Sequence, residues 1–340
     1  MYRWTVILLC IVLALPLHSQ DFTLYHTGSH QDTLTNPIGG ICMMGGRREN
    51  DEAMKWFLNR ADGGDVVILR ASGSDGYNDY FFNDLGINLN SVTSIVFKSR
   101  EASYNDTIQS IVNNAEAIWM AGGNQWKYVQ YWRDSPIDSI INHNIKNKNI
   151  AIGGTSAGMA VLGGIYFSAS KGTVSSEECL SNPSDEKITV ENIEFLSVPF
   201  LENVITDTHY DERNRQGRHT VFLSRAMRDY GVEAKGIACD EYTAVCIDRN
   251  GMARAYGDHP KKDDQVYFIQ LHCELKHNEI QQPPTDELDF TVYKLPGTRD
   301  GSYSFNLNNW KEGIGGNWYK WILKKGQLIT ERVQNVDCPK

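Results

Sequence analysis

The 340-residue chain is 41% hydrophobic and 22% charged, which supplies the core of one large globular domain, or of one domain with an appendage. Acidic residues outnumber basic ones, 42 to 33, for a formal net charge of −9. Such a surface argues against nucleic acid or an anionic membrane as the main partner.

Residues 1–20 carry Arg3, an apolar stretch from Val6 to Leu15 and a polar end, Leu17-His18-Ser19-Gln20. This is the layout of a signal peptide cleaved next to Ser19 or Gln20, and the apolar stretch is short for an uncleaved membrane anchor. The mature protein is therefore expected to be secreted or periplasmic and free of the membrane. Losing Arg3 moves the net charge to −10. Six cysteines remain, Cys42, Cys179, Cys239, Cys246, Cys273 and Cys338, with no Cys-x-x-Cys pair. Export permits disulfides, but the spacing selects no pairing.

Gly39 to Gly46 reads as a first strand ending in a glycine pair, followed by a helix from Asn50 to Arg60 with Ala53, Trp56 and Phe57 at helical spacing. Asp65 to Leu69 is too apolar for a half-exposed strand and predicts a central parallel strand covered on both faces. The alternation continues with a strand at Ser94–Phe97, a helix at Asn105–Asn114, a strand at Ala117–Met120, a helix around Lys127–Trp132 and a strand at Asn149–Ile152. Repeated strand–helix units predict a three-layer α/β/α domain around a mostly parallel sheet. Further strands are expected at Val204–Asp207 and Thr243–Ile247. From Leu288 onward aromatic and alternating residues predict a β-rich C-terminal extension. The stretch from His277 to Asp286, with Pro283 and Pro284, divides a domain of residues 21–276 from a segment of residues 277–340.

The strand ending at Ile152 runs into Gly153-Gly154-Thr155-Ser156-Ala157-Gly158, and Met159 to Leu162 reads as the start of a helix. Gly154-x-Ser156-x-Gly158 in that setting suits a tight turn that lifts a nucleophilic hydroxyl above the sheet. The flanking glycines tolerate strained angles, and the helix start offers N–H groups to developing negative charge. Taken alone, the segment also fits a small-residue turn or a phosphate-cradling loop.

A serine nucleophile needs a base. His209 follows the strand Val204–Asp207 and precedes Arg213, Arg215 and Arg218, a dense cation cluster in an acidic protein; a solvated helix face with a bystander histidine is the alternative. Asp240 and Glu241, just before the apolar strand Thr243–Ile247, are both available to orient an imidazole. Gly122-Gly123-Asn124-Gln125 follows another strand end, and the N–H groups of Gly123 and Ala157 suit an oxyanion.

This ordered set resembles the cyanophycinase-like branch of the S51 serine peptidases over roughly Ile41 to Ile247. The resemblance implies an α/β/α fold related to class I glutamine amidotransferases. It implies Ser156 as nucleophile, His209 as base and Glu241, rather than Asp240, as the orienting acid. It further implies that Gln125, Asp207, Thr208, Arg213, Arg215 and Arg218 shape the substrate pocket. Members of the family cleave peptides at aspartyl residues, and cyanophycinases release β-Asp-Arg dipeptides from an Asp-Arg polymer. The family pattern Asp-Gln-His-Phe is Asp207-Thr208-His209-Tyr210 here, and Asn124 stands where aspartate is common. Thr208 lacks the amide of glutamine, which weakens the match to cyanophycin while leaving the catalytic set intact.

The expected function is thus an exported serine-type peptidase acting at aspartyl residues, with a peptide or Asp-rich polymer as partner and a homodimer compatible with the extra strands. Two rivals differ in class. An α/β-hydrolase esterase would take a later base, His259 or His272; an inactive binding protein would keep the pocket without turnover. No metal or organic cofactor is implied, since there is no His-Glu-x-x-His motif and no nucleotide-binding motif.

Overall fold

The structure is a computed structural model that describes residues 20–272 and 287–334. The expected signal peptide, the proline-containing boundary at His277–Asp286, Cys273 and Cys338 lie outside the described residues. Among the described residues no helix is long and apolar enough to cross a membrane.

Ten strands form the first sheet: β1 (Phe22–Gly28), β2 (Gly40–Met44), β3 (Asp65–Arg70), β4 (Ser91–Phe97), β5 (Ala117–Met120), β6 (Ala151–Thr155), β11 (Ala244–Ile247), β12 (Met252–His259), β15 (Ser304–Asn306) and β16 (Gly313–Ile314). Their spatial order is β1-β4-β3-β5-β6-β2-β11-β12-β15-β16. The central run from β4 to β2 is parallel, and the flanking strands are antiparallel. A short hairpin pairs β7 (Tyr166–Phe167) with β8 (Val190–Glu191). The second sheet holds β9 (Val204–Asp207), β10 (Lys235–Cys239), β13 (Gln265–Leu271), β14 (Glu287–Pro296), β17 (Asn317–Lys324) and β18 (Gln327–Arg332), in the order β18-β17-β14-β13-β10-β9.

The central strands read as continuous apolar runs because helices from the crossovers pack on each side of a parallel sheet and cover both of its faces. Alternate residues go to opposite layers. Val67, Leu69, Ile118, Met120 and Ile152 share one core with the buried faces of α3 (Asp106–Asn113), α4 (Gln125–Trp132) and α5 (Pro136–His143). Val66, Ile68, Trp119 and Ala151 share the other with α1 (Asp51–Leu58) and the turns around Phe81, after α2 (Gly76–Asp79). The α/β/α layering expected from the alternation is therefore present, with a second sheet beside it.

Helix starts are set locally. Asn50, Asn105, Asn124 and Ser135 each accept a backbone N–H in the first turn of α1, α3, α4 and α5, and Pro136 occupies the first turn of α5, where its missing N–H is harmless. Asn124, the departure from the family's aspartate, thus acts as a cap, a position that either residue fills.

The C-terminal strands are hydrogen-bonded into both sheets. β14 pairs with β13 and β17, while β15 pairs with β12. Trp321 of β17 is 1% exposed, in the core that also holds α7 (Ser176–Ser181) and α8 (Gln216–Tyr230) residues such as Cys179 and Phe222. Its ring stacks at 6.4 Å on Tyr210, the neighbour of His209.

Candidate active site

The two sheets meet at the carboxyl end of β2. Ser156 leaves β6 with φ +50° and ψ −113°, a conformation costly for a residue with a Cβ, and turns into α6 (Ala157–Ala160). Gly158 makes the turn possible, because a Cβ there would lie 2.0 Å from the Met120 carbonyl oxygen. His209 follows β9 with φ +46°, and Glu241 lies between β10 and β11, where the chain crosses from the second sheet to the first.

The last residues of β2 and its glycine turn tie these three segments together. The N–H of Ser156 donates to the Met44 carbonyl at 3.0 Å, that of His209 to the Gly45 carbonyl at 2.9 Å, and that of Tyr242 to the Gly46 carbonyl at 3.1 Å. Gly46 has φ +127°, and a Cβ on it would stand 2.3 Å from His209 Cε1; the bare backbone is what admits the imidazole. The sequence marked this pair only as a strand end.

The side chains converge. Ser156 Oγ lies 2.8 Å from His209 Nε2, and His209 Nδ1 lies 2.6 Å from Glu241 Oε1. An ionised carboxylate can only accept, so Nδ1 carries the proton and Nε2 is left to accept from the serine hydroxyl. Burial lowers the His209 pKa below its ordinary value; the Glu241 hydrogen bond opposes that, and Arg213 and Arg215 add to it. Burial would raise Glu241, but its bonds to His209 and Arg47 outweigh this and hold it below the usual carboxylate range.

Asp240, the rival acid, points elsewhere. Its oxygens accept from the backbone N–H groups of Asp211 at 2.9 Å and Gln265 at 3.0 Å, and burial pushes its pKa up to about 8. Neither His259 nor His272, the bases an esterase would need, meets Ser156. His259 ends β12, and His272 Nδ1 is 2.9 Å from Thr291 Oγ1.

The arginine cluster divides. Arg218 is 4% exposed and donates through Nε to Asp207 Oδ2 at 2.8 Å and through Nη2 to Oδ1 at 2.5 Å, with Nη1 on the Val174 carbonyl at 3.0 Å. Arg215 donates to the Thr208 carbonyl at 2.7 Å, to Thr208 Oγ1 at 3.1 Å and to Asp207 at 3.4 Å. Burial would raise Asp207, but Arg218 and Arg215 prevail and bring its pKa down to about 2. Asp207 and Arg218, expected to line a pocket, thus form a buried ion pair, because an aspartate this deep must be paired, and Thr208 is buried next to them. Arg215 is engaged with Asp207 and Thr208. Arg213 is the exposed member, within electrostatic range of His209.

Gln125 is half-buried, with its amide donating to the Phe167 carbonyl at 2.6 Å. The Gly122-Gly123 turn packs against the serine, since a Cβ on Gly122 would lie 3.6 Å from Ser156 Cβ. Ala157 begins α6 and is buried. Sequence reasoning missed Arg47, whose Nε donates to Glu241 Oε2 at 2.8 Å, and Glu212, whose carboxylate accepts the Glu241 N–H at 3.0 Å. The glycine pair before Arg47 was the available signal. Away from this cluster, a cavity of about 660 Å³ opens near the start of β2 and β6, lined among others by Gly40, Lys146, Ile150 and Asp248; none of the residues above reaches it.

An α/β fold with a serine, a histidine and a glutamate in hydrogen-bonded series at its strand ends is an arrangement found in a class of hydrolase scaffolds. Within that class the chain belongs to peptidase family S51, whose sequence profile matches residues 73–255. The chain is 26% identical over 187 residues to a cyanophycinase of Geminocystis herdmanii (strain PCC 6308), covering 50% of this chain and 64% of that protein. It is 27% identical over 209 residues to a cyanophycinase of Synechococcus elongatus, covering 59% of each. The matched segment therefore spans about 59–64% of the length of these curated relatives. A crystal structure of a peptidase from an acI-B1 Actinobacterium superposes with a TM-score of 0.47 at 16% identity, over 68% of this chain and 91% of that one.

Proposed function

We propose that the protein is an exported serine-type peptidase that hydrolyses peptide or isopeptide bonds at aspartyl residues through an acyl-enzyme. The observation that carries this reading is the series Ser156 Oγ to His209 Nε2 to Glu241, at 2.8 and 2.6 Å. His209 Nε2 takes the hydroxyl proton as Ser156 Oγ bonds to the scissile carbonyl carbon. The N–H groups of Gly123 and Ala157 receive the oxyanion. His209 then gives the proton to the leaving amine as the C–N bond breaks. A water attacks the acyl carbon, passes its proton to Nε2, and the serine leaves with that proton restored.

Family membership and the likeness to cyanophycinases support an aspartyl-containing substrate. The exposed guanidinium of Arg213 suits a substrate carboxylate, which it can bind in bidentate fashion. Thr208 is buried against Arg215, so substrate selection at that position differs from a reading in which a glutamine amide reaches the ligand. Export rests on the Arg3 and Val6–Leu15 layout of the N-terminus.

Purified mature protein should be incubated with cyanophycin, β-aspartyl dipeptides and α-Asp-X peptides beside Ser156→Ala. Cleavage of at least one substrate by wild type and none by the variant is expected. Equal rates for the two proteins on every substrate would sink the mechanism.

A further inference from the structure

Arg47 precedes the segment matched by the family profile, and in the sequence only the glycine pair before it marks the position. Its backbone has φ +69°, directly after the Gly45-Gly46 turn that anchors the backbones of His209 and Tyr242. Its side chain is 63% exposed, yet Nε donates at 2.8 Å to Glu241 Oε2, a carboxylate only 7% exposed. Glu241 therefore has one oxygen on His209 and the other on Arg47. The Glu241 N–H is itself held by Glu212. Two loops, the β2 turn and the β9–α8 loop, thus hold Glu241, the first by one carboxylate oxygen and the second by the other oxygen and the backbone N–H.

We infer that Arg47 is a positioning residue of the proposed triad: it fixes the rotamer of Glu241 and offsets part of its charge, and so sets the pH range in which His209 serves as base. The inference rests on the triad reading above. The groups that face His209 are Ser156 from the β6 turn, Glu241 from the β10–β11 crossing, Arg213 and Arg215 from its own loop, and the Gly46 backbone from the β2 turn. Glu241 favours imidazolium and the arginines disfavour it. Arg47 reaches His209 through Glu241, where it weakens the one group that favours the charged form.

The chemistry of the contact permits a clean separation of hydrogen bond from charge. Arginine uses Nε here, and glutamine carries its amide nitrogen the same number of bonds from Cα. Arg47→Gln can therefore keep the bond to Oε2 while removing the positive charge, whereas Arg47→Ala removes both. The surface position and an L-residue already at positive φ mean that neither change adds backbone strain.

For Arg47→Gln the acidic limb of kcat/KM should move upward by a few tenths of a pH unit, with kcat within about threefold of wild type, and the shift should shrink in 1 M salt. The sign follows because an unopposed Glu241 holds the His209 proton to higher pH. For Arg47→Ala kcat should fall about tenfold with KM little changed, as loss of a supporting residue does elsewhere. Thermal melts check that both variants fold.

Histidine-¹⁵N NMR titration of His209 in the Ser156→Ala background, with and without Arg47→Gln, reads the same shift with no turnover. Inactive wild type would remove the peptidase reading and leave this titration able to decide the electrostatic role of Arg47. An unmoved His209 titration in Arg47→Gln would overturn the inference, as would a raised KM at unchanged kcat in Arg47→Ala, which would make Arg47 a substrate-binding group instead.

Discussion

Replacing Asp207 by asparagine distinguishes a scaffold from a substrate-binding group. The carboxylate is 2% exposed and holds Arg218 at 2.5 and 2.8 Å, with Arg215 at 3.4 Å. Its pKa of about 2, against an ordinary 3.8, corresponds to about 2 kcal/mol of preference for the charged form in the folded state. Because the folded pKa is depressed, that stability is fully present above the unfolded value near 4 and is lost as pH falls through 2. Asparagine removes it at every pH and also leaves two guanidiniums, 5% and 12% exposed, without their counter-charge. Breaking a buried pair in this way costs about 3–5 kcal/mol, a large part of the roughly 5–15 kcal/mol that holds a typical domain together. Urea denaturation of wild type and Asp207→Asn at pH 7, and again from pH 5 to 2, measures both effects. The variant should unfold at much lower urea at pH 7 and should show a weaker acid dependence than wild type. A variant within about 1 kcal/mol of wild type at pH 7 and altered only in KM would refute the scaffold assignment and return Asp207 to the substrate pocket.

Glu241→Gln should lower kcat by about 10³–10⁴-fold by loosening control of the His209 tautomer, as measured in steady-state assays. Asp240→Asn should leave kcat far closer to wild type, because a pKa of about 8 keeps that acid mostly protonated at pH 7 and the swap removes little charge there. Gly46→Ala should nearly abolish turnover while the protein stays folded by circular dichroism, since the added Cβ falls 2.3 Å from His209 Cε1. Trp321→Ala should cost about 3–5 kcal/mol in denaturant melts, because it opens a cavity under Tyr210 where the C-terminal strands meet the core.

The parts of the fold that were legible are those whose residues are chosen by one local requirement. Within the expected strand Asp65–Leu69, the stretch Val66 to Leu69 must be apolar throughout because both faces are covered, and it forms the buried part of β3. The helix expected from Asn105 is α3, which Asn105 caps, whereas α4 starts at Gln125, two residues before the helix expected around Lys127. β12, β13 and the long α8 were not legible. Arg218, His219 and Thr220 lie buried within α8, where Arg218 is paired with Asp207 and His219 is within 3.1 Å of both Tyr210 Oη and the Ile205 carbonyl oxygen, so the helix lacks a clean apolar stripe.

The tight turn at Ser156 could be read from the chain because such a strand-to-helix turn requires small residues in contiguous order, and Gly154-x-Ser156-x-Gly158 is that requirement written locally. The strand end before His209 likewise pointed to that histidine, while Glu241 was preferred to Asp240 only through the family resemblance. The tertiary structure supplied the physical reason why residues of like chemistry differ. Asp240 and Glu241 are neighbours on one strand exit, yet the first turns to backbone N–H groups and the second to His209. Arg213 and Arg218 share a cluster, yet one is solvated and the other neutralised in the interior. Arg47 becomes part of the site only because β2 brings it to a carboxylate 194 residues away. Sequence spacing sets which groups can leave a strand end, but burial and long-range pairing set where each one points.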